Sequence, residues 1–413
     1  MKRSSKFGVK NLPHGWKATQ IKKIGAVTAG GSLNLTKTND YIDVGFPAFS
    51  AAGQDGYVAH AEFNQPGVIV SSIGARCGKC FFAIGQWSTL ANTQVILPKE
   101  DKCLTKFLWY WVNDEEYWVR SGSAQPFISP KDIKNAWIPL PPLPEQKKIA
   151  AILSTVDEAI EATEAVIEQT RTVKKGLLQE LLTRGIGHTE FKKTAIGEIP
   201  RSWSLLPLPK VAKLERGKFT HRPRNAPYLY GGAYPFVQTG DITASDDELI
   251  KHSQTLNDSG LECSRLFKPN VILITIAANI GDVALTTYPI ACPDSLVAAS
   301  PNKGIEARWL LYALMAQKPH LNKVATQNAQ KNINLQILNA VQIAVPPKQE
   351  QLEISTRIMA ISNVEAVNTS KLNSLISVKR GLLQDLLTGK VRVNTLDLPA
   401  LLNAEAPAEA LAE

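Results

Sequence analysis

The sequence has few cysteines and lacks any long apolar run. Its 413 residues include five cysteines, an odd number spread thinly over the chain, which argues against a disulfide framework. No run approaches the roughly 18 apolar residues that a membrane span requires, and the basic first residues are not followed by the apolar core of a signal peptide. The sequence therefore predicts a cytoplasmic, multidomain protein without a membrane contact.

Motifs for chemistry are equally scarce. Cys77 and Cys80 have no second pair of cysteines or histidines at zinc-ligand spacing, so buried thiols are favoured over a metal site. Residues 74–80 have one residue too few between glycines for a phosphate-binding loop. The glycine-rich cofactor turn and the Asn/Asp-Pro-Pro-aromatic loop of a DNA methyltransferase are both missing. We interpret the acidic run 246–248 as a solvated turn, and the chain as non-catalytic.

Positive charge is present, and it is confined to two segments. The chain has a net charge of +9, to which residues 1–144 contribute +6 and residues 191–349 contribute +7. Residues 145–190 and 350–413 are each at −2. This distribution is expected if two globular segments contact a polyanion and the elements between them do not.

An internal repeat determines the architecture, because a long match in constant register indicates a duplication. Residues 174–183 (KKGLLQELLT) recur as 379–388 (KRGLLQDLLT), a displacement of 205 residues. The same displacement carries Glu145-Gln146 onto Glu350-Gln351 and Ala124-Gln125 onto Ala329-Gln330. Nearer the start of each half the displacement falls to about 187, as Trp16 and Trp203 show. The two globular segments thus share a frame but differ in detail.

Two long helices are predicted after the proline-rich segments that end near residues 144 and 347. Their apolar residues recur at the 3-4 spacing of coiled-coil seams. Each helix needs a partner along its length, and we expect an antiparallel pair rather than two helices docked separately on their own domains. The seam and partner-docking positions are Ile149, Leu153, Val156, Ile160, Ile167, Leu177 and Leu181 in the first copy, and Ile354, Ile358, Ile361, Leu372, Leu375, Leu382 and Leu386 in the second.

The globular segments combine short strands with a few helices. Apolar runs at 67–71 and 270–276 predict buried strands, while 106–112 and 308–314 predict helices. The predicted fold is therefore mixed α and β, with two pseudo-symmetric α/β domains separated by two long helices that form an antiparallel coiled coil. The boundaries are 1–144 and 191–349 for the domains, 145–190 and 350–393 for the helices, and 394–413 for a disordered tail.

Three motifs give the chain a family resemblance. Residues 196–203 (IGEIPRSW), 234–242 (YPFVQTGDI) and 139–146 (PLPPLPEQ) resemble the specificity subunits of type I restriction-modification systems, over Leu12 to about Val393. The first domain lacks a clear Gly-Asp-Ile, and Lys348-Gln349 stand where the first copy has Leu143-Pro144. The resemblance implies that the two α/β domains are target-recognition domains, each of which reads one half of a split DNA site, and that the helices space them and dock modification subunits.

The resemblance also implies partners. The expected partners are double-stranded DNA and two modification subunits, and restriction and translocase subunits are further candidates. S-adenosylmethionine, ATP and Mg²⁺ are expected on those partners, so this chain itself is expected to bind no cofactor.

DNA-contact residues are predicted from the side chains that bind phosphates and base edges. The run 216–224 is the strongest basic cluster. The candidates are Thr36, Lys37, Arg76, Lys79, Arg120, Gln125 and Lys131 in the first domain, and Arg216, Lys218, His221, Arg222, Arg224, Gln330, Lys331 and Asn332 in the second. The alternative function is a two-domain coiled-coil scaffold that binds no DNA, and a free-standing methyltransferase is a weaker third hypothesis.

Overall fold

The computed structural model describes residues 12–122, 125–326 and 332–393. These residues fall into two compact units: the first comprises the described residues up to Thr163 together with those from Lys371, and the second comprises Glu164–Ser370. Each unit therefore contains one globular segment, the first half of one long helix and the second half of the other. The predicted tail, 394–413, lies outside the described residues. No helix in the described ranges is both long and apolar enough to cross a membrane.

The first unit contains two four-stranded sheets. One has the order β2-β9-β6-β7 and is antiparallel, and the other has the order β4-β3-β8-β5, in which β3 and β8 run parallel. Strands β1 and β10 form a separate pair. The strands are β1 Lys17–Gln20, β2 Gly25–Ala29, β3 Phe46–Ser50, β4 Gly53–Val58, β5 Phe63–Asn64, β6 Gly67–Ser71, β7 Cys80–Ala83, β8 Gln86–Thr89, β9 Thr93–Pro98 and β10 Trp137–Leu140; the helices are α1 Ile21–Ile24, α2 Lys37–Asp40, α3 Thr105–Val112, α4 Pro130–Asn135 and the start of α5 Leu143–Thr183.

The second unit repeats this plan. Its five-stranded sheet has the order β14-β22-β19-β20-β16, and its four-stranded sheet has the order β17-β15-β21-β18, with β15 and β21 parallel. Its strands are β11 Phe191–Thr194, β12 Gly197–Pro200, β13 Ser204–Pro207, β14 Ala212–Arg216, β15 Tyr230–Phe236, β16 Glu248–Leu249, β17 Gln254–Leu256, β18 Leu266–Phe267, β19 Ile272–Thr275, β20 Val283–Thr286, β21 Ile290–Ala291, β22 Leu296–Pro301 and β23 Gln342–Val345. Its helices are α6 Leu208–Val211, α7 Thr239–Thr243, α8 Asp258–Glu262, α9 Ala307–Met315, α10 Lys318–Thr326, α11 Leu335–Ala340 and most of α12 Lys348–Leu387.

The predicted strands and helices occur where the sequence placed them. Strand β6 coincides with the run 67–71, β19 lies inside 270–276, and both are fully buried because each is an inner strand of its sheet. Helices α3 and α9 cover the two predicted aromatic helices. The mixed α and β prediction is confirmed.

The long helices pair antiparallel inside each unit. In the first unit, Ile149 and Leu153 at the start of α5 pack with Leu386 and Leu387 at the end of α12. In the second unit, Leu181 at the end of α5 packs with Ile354 at the start of α12. All fourteen seam positions predicted from the 3-4 spacing are buried or half-buried. The helices complete the cores of both units, so they are not docked separately on their own domains.

Ion pairs give the helix pairing its register. Asp157 of α5 pairs with Lys379 of α12 in the first unit. In the second unit, Arg171 Nε lies 2.8 Å from Glu365 Oε1. The two pairs have residue numbers with the same sum, so both units use the same antiparallel register.

A carboxylate near the start of each long helix ties three segments of its unit together. In the first unit, Glu145 accepts a 2.9 Å hydrogen bond from Trp16 Nε1 and is paired with Arg392, which follows α12. In the second unit, Glu350 accepts a 2.9 Å bond from Trp203 Nε1 and contacts His188, which follows α5, at 2.8 Å. The repeat in sequence is thus also a repeat of contacts.

Glu145 is 2% exposed. Burial raises the pKa of this carboxyl, but the hydrogen bonds from Arg392 and Trp16 outweigh burial and leave the pKa below its usual value. A carboxylate with a lowered pKa in the folded state stabilises the protein above its unfolded-state pKa, and that stability is lost as the pH falls through the folded-state pKa.

We therefore expect Glu145→Gln to lower the free energy of unfolding by about 1–3 kcal/mol at pH 7, because a charge-assisted contact is lost. The difference in the free energy of unfolding between the variant and the parent should shrink as the pH falls below the unfolded-state pKa of the carboxyl. Urea unfolding of the full chain at several pH values measures both effects. Glu353→Gln removes an exposed carboxylate of α12 as a control and should cost under about 1 kcal/mol. An equal loss at low and neutral pH would contradict the assignment.

Candidate nucleic-acid interface

In each unit the predicted contact residues gather mainly at one end of one sheet, which contains β2 and β6 in the first unit and β14 and β19 in the second. We call this end the loop edge. In the first unit, β2 and β6 finish at this end, since Ala29 lies opposite Gln94 and Ser71 opposite Thr93 at the start of β9. The loops there are 30–45 and 72–79. In the second unit, β14 and β19 finish opposite the start of β22, and the loops are 217–229, 276–282 and 292–295.

Thr36 and Lys37 lie on the first of these loops. Thr36 caps helix α2 by accepting a hydrogen bond from the Asn39 amide, so its hydroxyl is already committed locally. Lys37 is exposed and pairs with Asp55 of β4. Asp55 also accepts hydrogen bonds from Tyr41 and Ser50. This contact fixes Lys37 over the β3–β4 hairpin.

Arg76 and Lys79 lie on the second loop of the first unit, between β6 and β7. Both are exposed, and Arg76 Nη1 donates to the carbonyl of Ala52 at 3.2 Å. Gly74 has a φ of +88°, which favours glycine, and its amide donates to the Pro126 carbonyl at 2.9 Å. The structure thus joins this loop to the segment that carries Gln125.

Arg120 and Lys131 differ in their placement. Arg120 bonds Glu115 at 3.2 Å and lies beside Gly78, so it belongs to the loop edge. Lys131 lies on α4, which packs on α1, the helix that leads into the opposite end of β2. It lines a shallow pocket with Lys22 and Lys134. The structure therefore does not bring Lys131 together with the other candidates.

The basic run of the second unit surrounds a single carboxylate. Arg216 Nε donates to the main-chain carbonyl of Asp294 at 2.6 Å, and the side chains of Arg222 and Arg224 both reach the Asp294 carboxylate. Lys218 is exposed beside them. His221 lies 3.1 Å from the hydroxyl of Tyr228 and is half-buried. The three arginines and Lys218 outnumber the one carboxylate, so the surface suits a polyanion such as a phosphate backbone.

Gln330 and Lys331 lie outside the described residues, whereas Asn332 is exposed and forms a β-bridge with Ala277. The bridge is equivalent to that between Ile73 and Phe127 in the first unit. In both units, a loop after a central strand is therefore tied to the segment that follows the aromatic helix.

The interpretation of the acidic run 246–248 as a solvated turn is wrong. Asp247 is 7% exposed, and it binds Lys174 of α5 at 3.0 Å and the Tyr312 hydroxyl at 3.0 Å. Glu248 pairs with Arg308. The run is therefore part of a buried contact with the long helix, because Lys174 requires a carboxylate partner where it is shielded from water.

The sequence reasoning also missed polar residues of the second loop edge. Thr239 Oγ1 lies 3.3 Å from Ser295, next to Asp294, and Thr243 at the end of α7 contacts Asn279 and Asp282. Lys318 pairs with Asp282. These residues belong to or face an insertion, which is visible as the change in repeat displacement from about 187 to about 205.

The cysteines are buried thiols, as expected, except for Cys263, which is half-buried. Burial raises the pKa of Cys292 to about 12, so this thiol stays protonated near neutral pH. Within the described ranges, no group of three or more His, Cys, Asp or Glu side chains is placed to hold a metal ion.

A family model described as the type I restriction modification DNA specificity domain matches residues 13–170 and 200–376. The two matches cover most of both units and the greater part of each long helix.

Individual proteins agree with the family match. The chain is 29% identical to the type I restriction enzyme MjaVIII specificity subunit of Methanocaldococcus jannaschii over 81% of each chain. It is 22% identical to the EcoDI specificity subunit of Escherichia coli over 97% of this chain and 95% of the relative. Among solved structures, the S subunit of a type I restriction-modification system from M. genitalium has the same fold, with a TM-score of 0.64, 17% identity, and 94% and 99% coverage.

The loop edge of the second unit yields a test. We expect replacement of Arg222 and Arg224 together by Ala to weaken duplex DNA binding and to reduce the slope of log affinity against log salt by about 0.9 per lost phosphate contact. Replacement of both by Lys keeps the charge and should keep the slope.

The matched control replaces Lys210 and Lys303 by Ala. Both are exposed cations at the opposite end of β14 and β22. Titrations at several salt concentrations should show the parent slope for this control. An unchanged slope in the Arg222 and Arg224 double Ala variant would mean that the basic run does not contact DNA.

Proposed function

The chain belongs to the family of type I restriction-modification DNA specificity subunits, which recognise DNA and leave catalysis to other subunits, and we propose that each of its two units reads one half of a split DNA sequence. The long helices space the two readers along the DNA and bind modification subunits. Methyl transfer from S-adenosylmethionine to adenine, and any ATP- and Mg²⁺-dependent restriction, take place on those partners.

The observation that carries this proposal is the pair of equivalent loops with different side chains. The loop 72–79 presents Arg76 and Lys79, whereas the equivalent loop 276–282 presents Asn279 and Asp282. Both loops are held by the same β-bridge to the segment after the aromatic helix. One backbone frame with two sets of polar groups is suited to two different base sequences, since bases are distinguished by their donor and acceptor patterns.

The long helices offer a surface for the modification subunits. Val364 and Val367 of α12 are 45% and 67% exposed, and Val173 and Val378 occupy equivalent exposed positions on α5 and α12. These valines lie outside the predicted seam, on helix faces with few charges, and Val173 and Val378 are related by the 205-residue displacement. An exposed valine repeated at the same position of both helices supports two equivalent docking surfaces, one for each of two modification subunits.

A scaffold that binds no DNA explains the helices but not the positive charge on both globular segments. The family match favours the DNA-binding function as well. The methyltransferase hypothesis has no cofactor loop to support it.

The proposal is tested by sequencing methylated adenines in cells that contain this chain and its modification subunit. We expect methylation at a single split sequence, with two short specified blocks separated by a gap of fixed length, and none when the chain is absent. The purified chain alone should transfer no methyl groups. Methyl transfer by the chain alone, or methylation at a sequence without a gap, would contradict the proposal.

A variant with Val173→Glu and Val378→Glu, which changes one exposed valine in each of the two equivalent surfaces, separates docking from DNA recognition. This variant should bind DNA like the parent but fail to co-purify with the modification subunit, and cellular methylation should disappear. Glu353→Gln with Arg357→Gln removes an exposed ion pair elsewhere on α12 without changing the net charge, and should preserve the complex.

A further inference from the structure

The loop between β19 and β20 has an unusual backbone. Ala278 has a φ of +61°, a left-handed conformation that is unfavourable for alanine. The equivalent residue in the first unit is Gly74, with a φ of +88°, which adopts this conformation without steric cost. The second unit therefore keeps the turn with a residue that does not favour it, which indicates that the surroundings impose the loop's shape.

Several contacts impose that shape. Thr275 Oγ1 donates to the Asn279 carbonyl, and the Thr275 amide donates to the Asp282 carbonyl at 2.9 Å. The Gly281 amide closes the loop by donating to the Thr275 carbonyl at 2.9 Å, and Ala277 forms the bridge with Asn332. Asn279 thus lies on a short, rigid loop.

The side chain of Asn279 is exposed but oriented. Its Nδ2 donates to Thr243 Oγ1 at 3.1 Å, and that hydroxyl in turn donates to Asp282 Oδ2 at 2.9 Å. Because Lys318 pairs with Asp282, the carboxylate is held in place. One amide hydrogen of Asn279 is used by this chain of contacts. The second amide hydrogen and the carbonyl oxygen of the side chain remain available to a ligand.

This loop lies at the same end of the sheet as the basic run. Arg222 and Arg224 contact Asp294. The next residue, Ser295, is bonded to the start of the β19–β20 loop, because the Ile276 amide donates to the Ser295 carbonyl at 3.1 Å. A duplex whose phosphates contact the basic run would therefore lie close to Asn279.

On the basis of the proposed function, we propose that Asn279 reads one adenine in the half-site of the second unit. A side-chain amide that offers one donor and one acceptor matches the N7 and N6 groups of adenine in the major groove. Thr243 is a positioning residue, because it fixes the amide plane that presents both groups.

The test is selection from random duplex DNA by the full chain in complex with its modification subunit. Asn279→Asp has nearly the same shape but no amide donor, so the preference for adenine at one position of one half-site should fall by about 5- to 150-fold. The other positions of both half-sites, and the gap, should be unchanged. A folded variant that keeps the parent preference at every position would overturn the proposal.

Two Thr243 variants test the positioning role. Thr243→Val removes the hydroxyl and should weaken the preference at the same position as Asn279→Asp, whereas Thr243→Ser should restore it. Loss at a different position, or no rescue by serine, would contradict the role of Thr243. If the parent complex selects no split sequence, the proposed function fails, whereas a split sequence unaffected by Asn279→Asp overturns only the assignment of Asn279.

Discussion

The antiparallel seam between α5 and α12 is the interaction on which the other features of this protein depend. Neither globular segment completes its core alone, since each buries leucines or isoleucines from the start of one long helix and the end of the other. The apolar seam stabilises the helix pair by burying its side chains, while Asp157–Lys379 and Arg171–Glu365 define the register. A change in either helix must therefore be matched in the other to preserve both cores.

The two units keep the same chemistry at the seam with different residues. Lys379 is held by Asp157 of α5 and Lys174 by Asp247 of the insertion, and in each case a tyrosine of the aromatic helix, Tyr110 or Tyr312, binds the same carboxylate. Burial raises the pKa of both tyrosines, and the carboxylates raise it further, so both hydroxyls act as donors. The contact between the aromatic helix and the long helices is therefore the same in both units, whereas the side chains at the two loop edges differ.

Features that depend on local patterns could be predicted from the sequence. Strand β6, the aromatic helices and the seams follow from apolar runs and 3-4 spacing, and the run 216–224 was recognised as a basic cluster from its composition. Asp247 and Asn279 could not be recognised, because a buried ion pair with Lys174 and an oriented amide arise only when distant segments meet. Lys131 was grouped with the other cations by charge alone, yet the fold places it on α4.

We propose that the paired helices determine the spacing between the two half-sites. The register pairs position 169 with 367, so one heptad inserted after Gln169 and another after Ala366 preserve both seams and lengthen the pair by about 10 Å. Selection from random DNA should then return both parent half-sites with a gap longer by about three base pairs. Their mutual rotation by about 100° lowers affinity without altering the half-sites. An unchanged gap in the folded variant would mean that the paired helices do not determine the spacing.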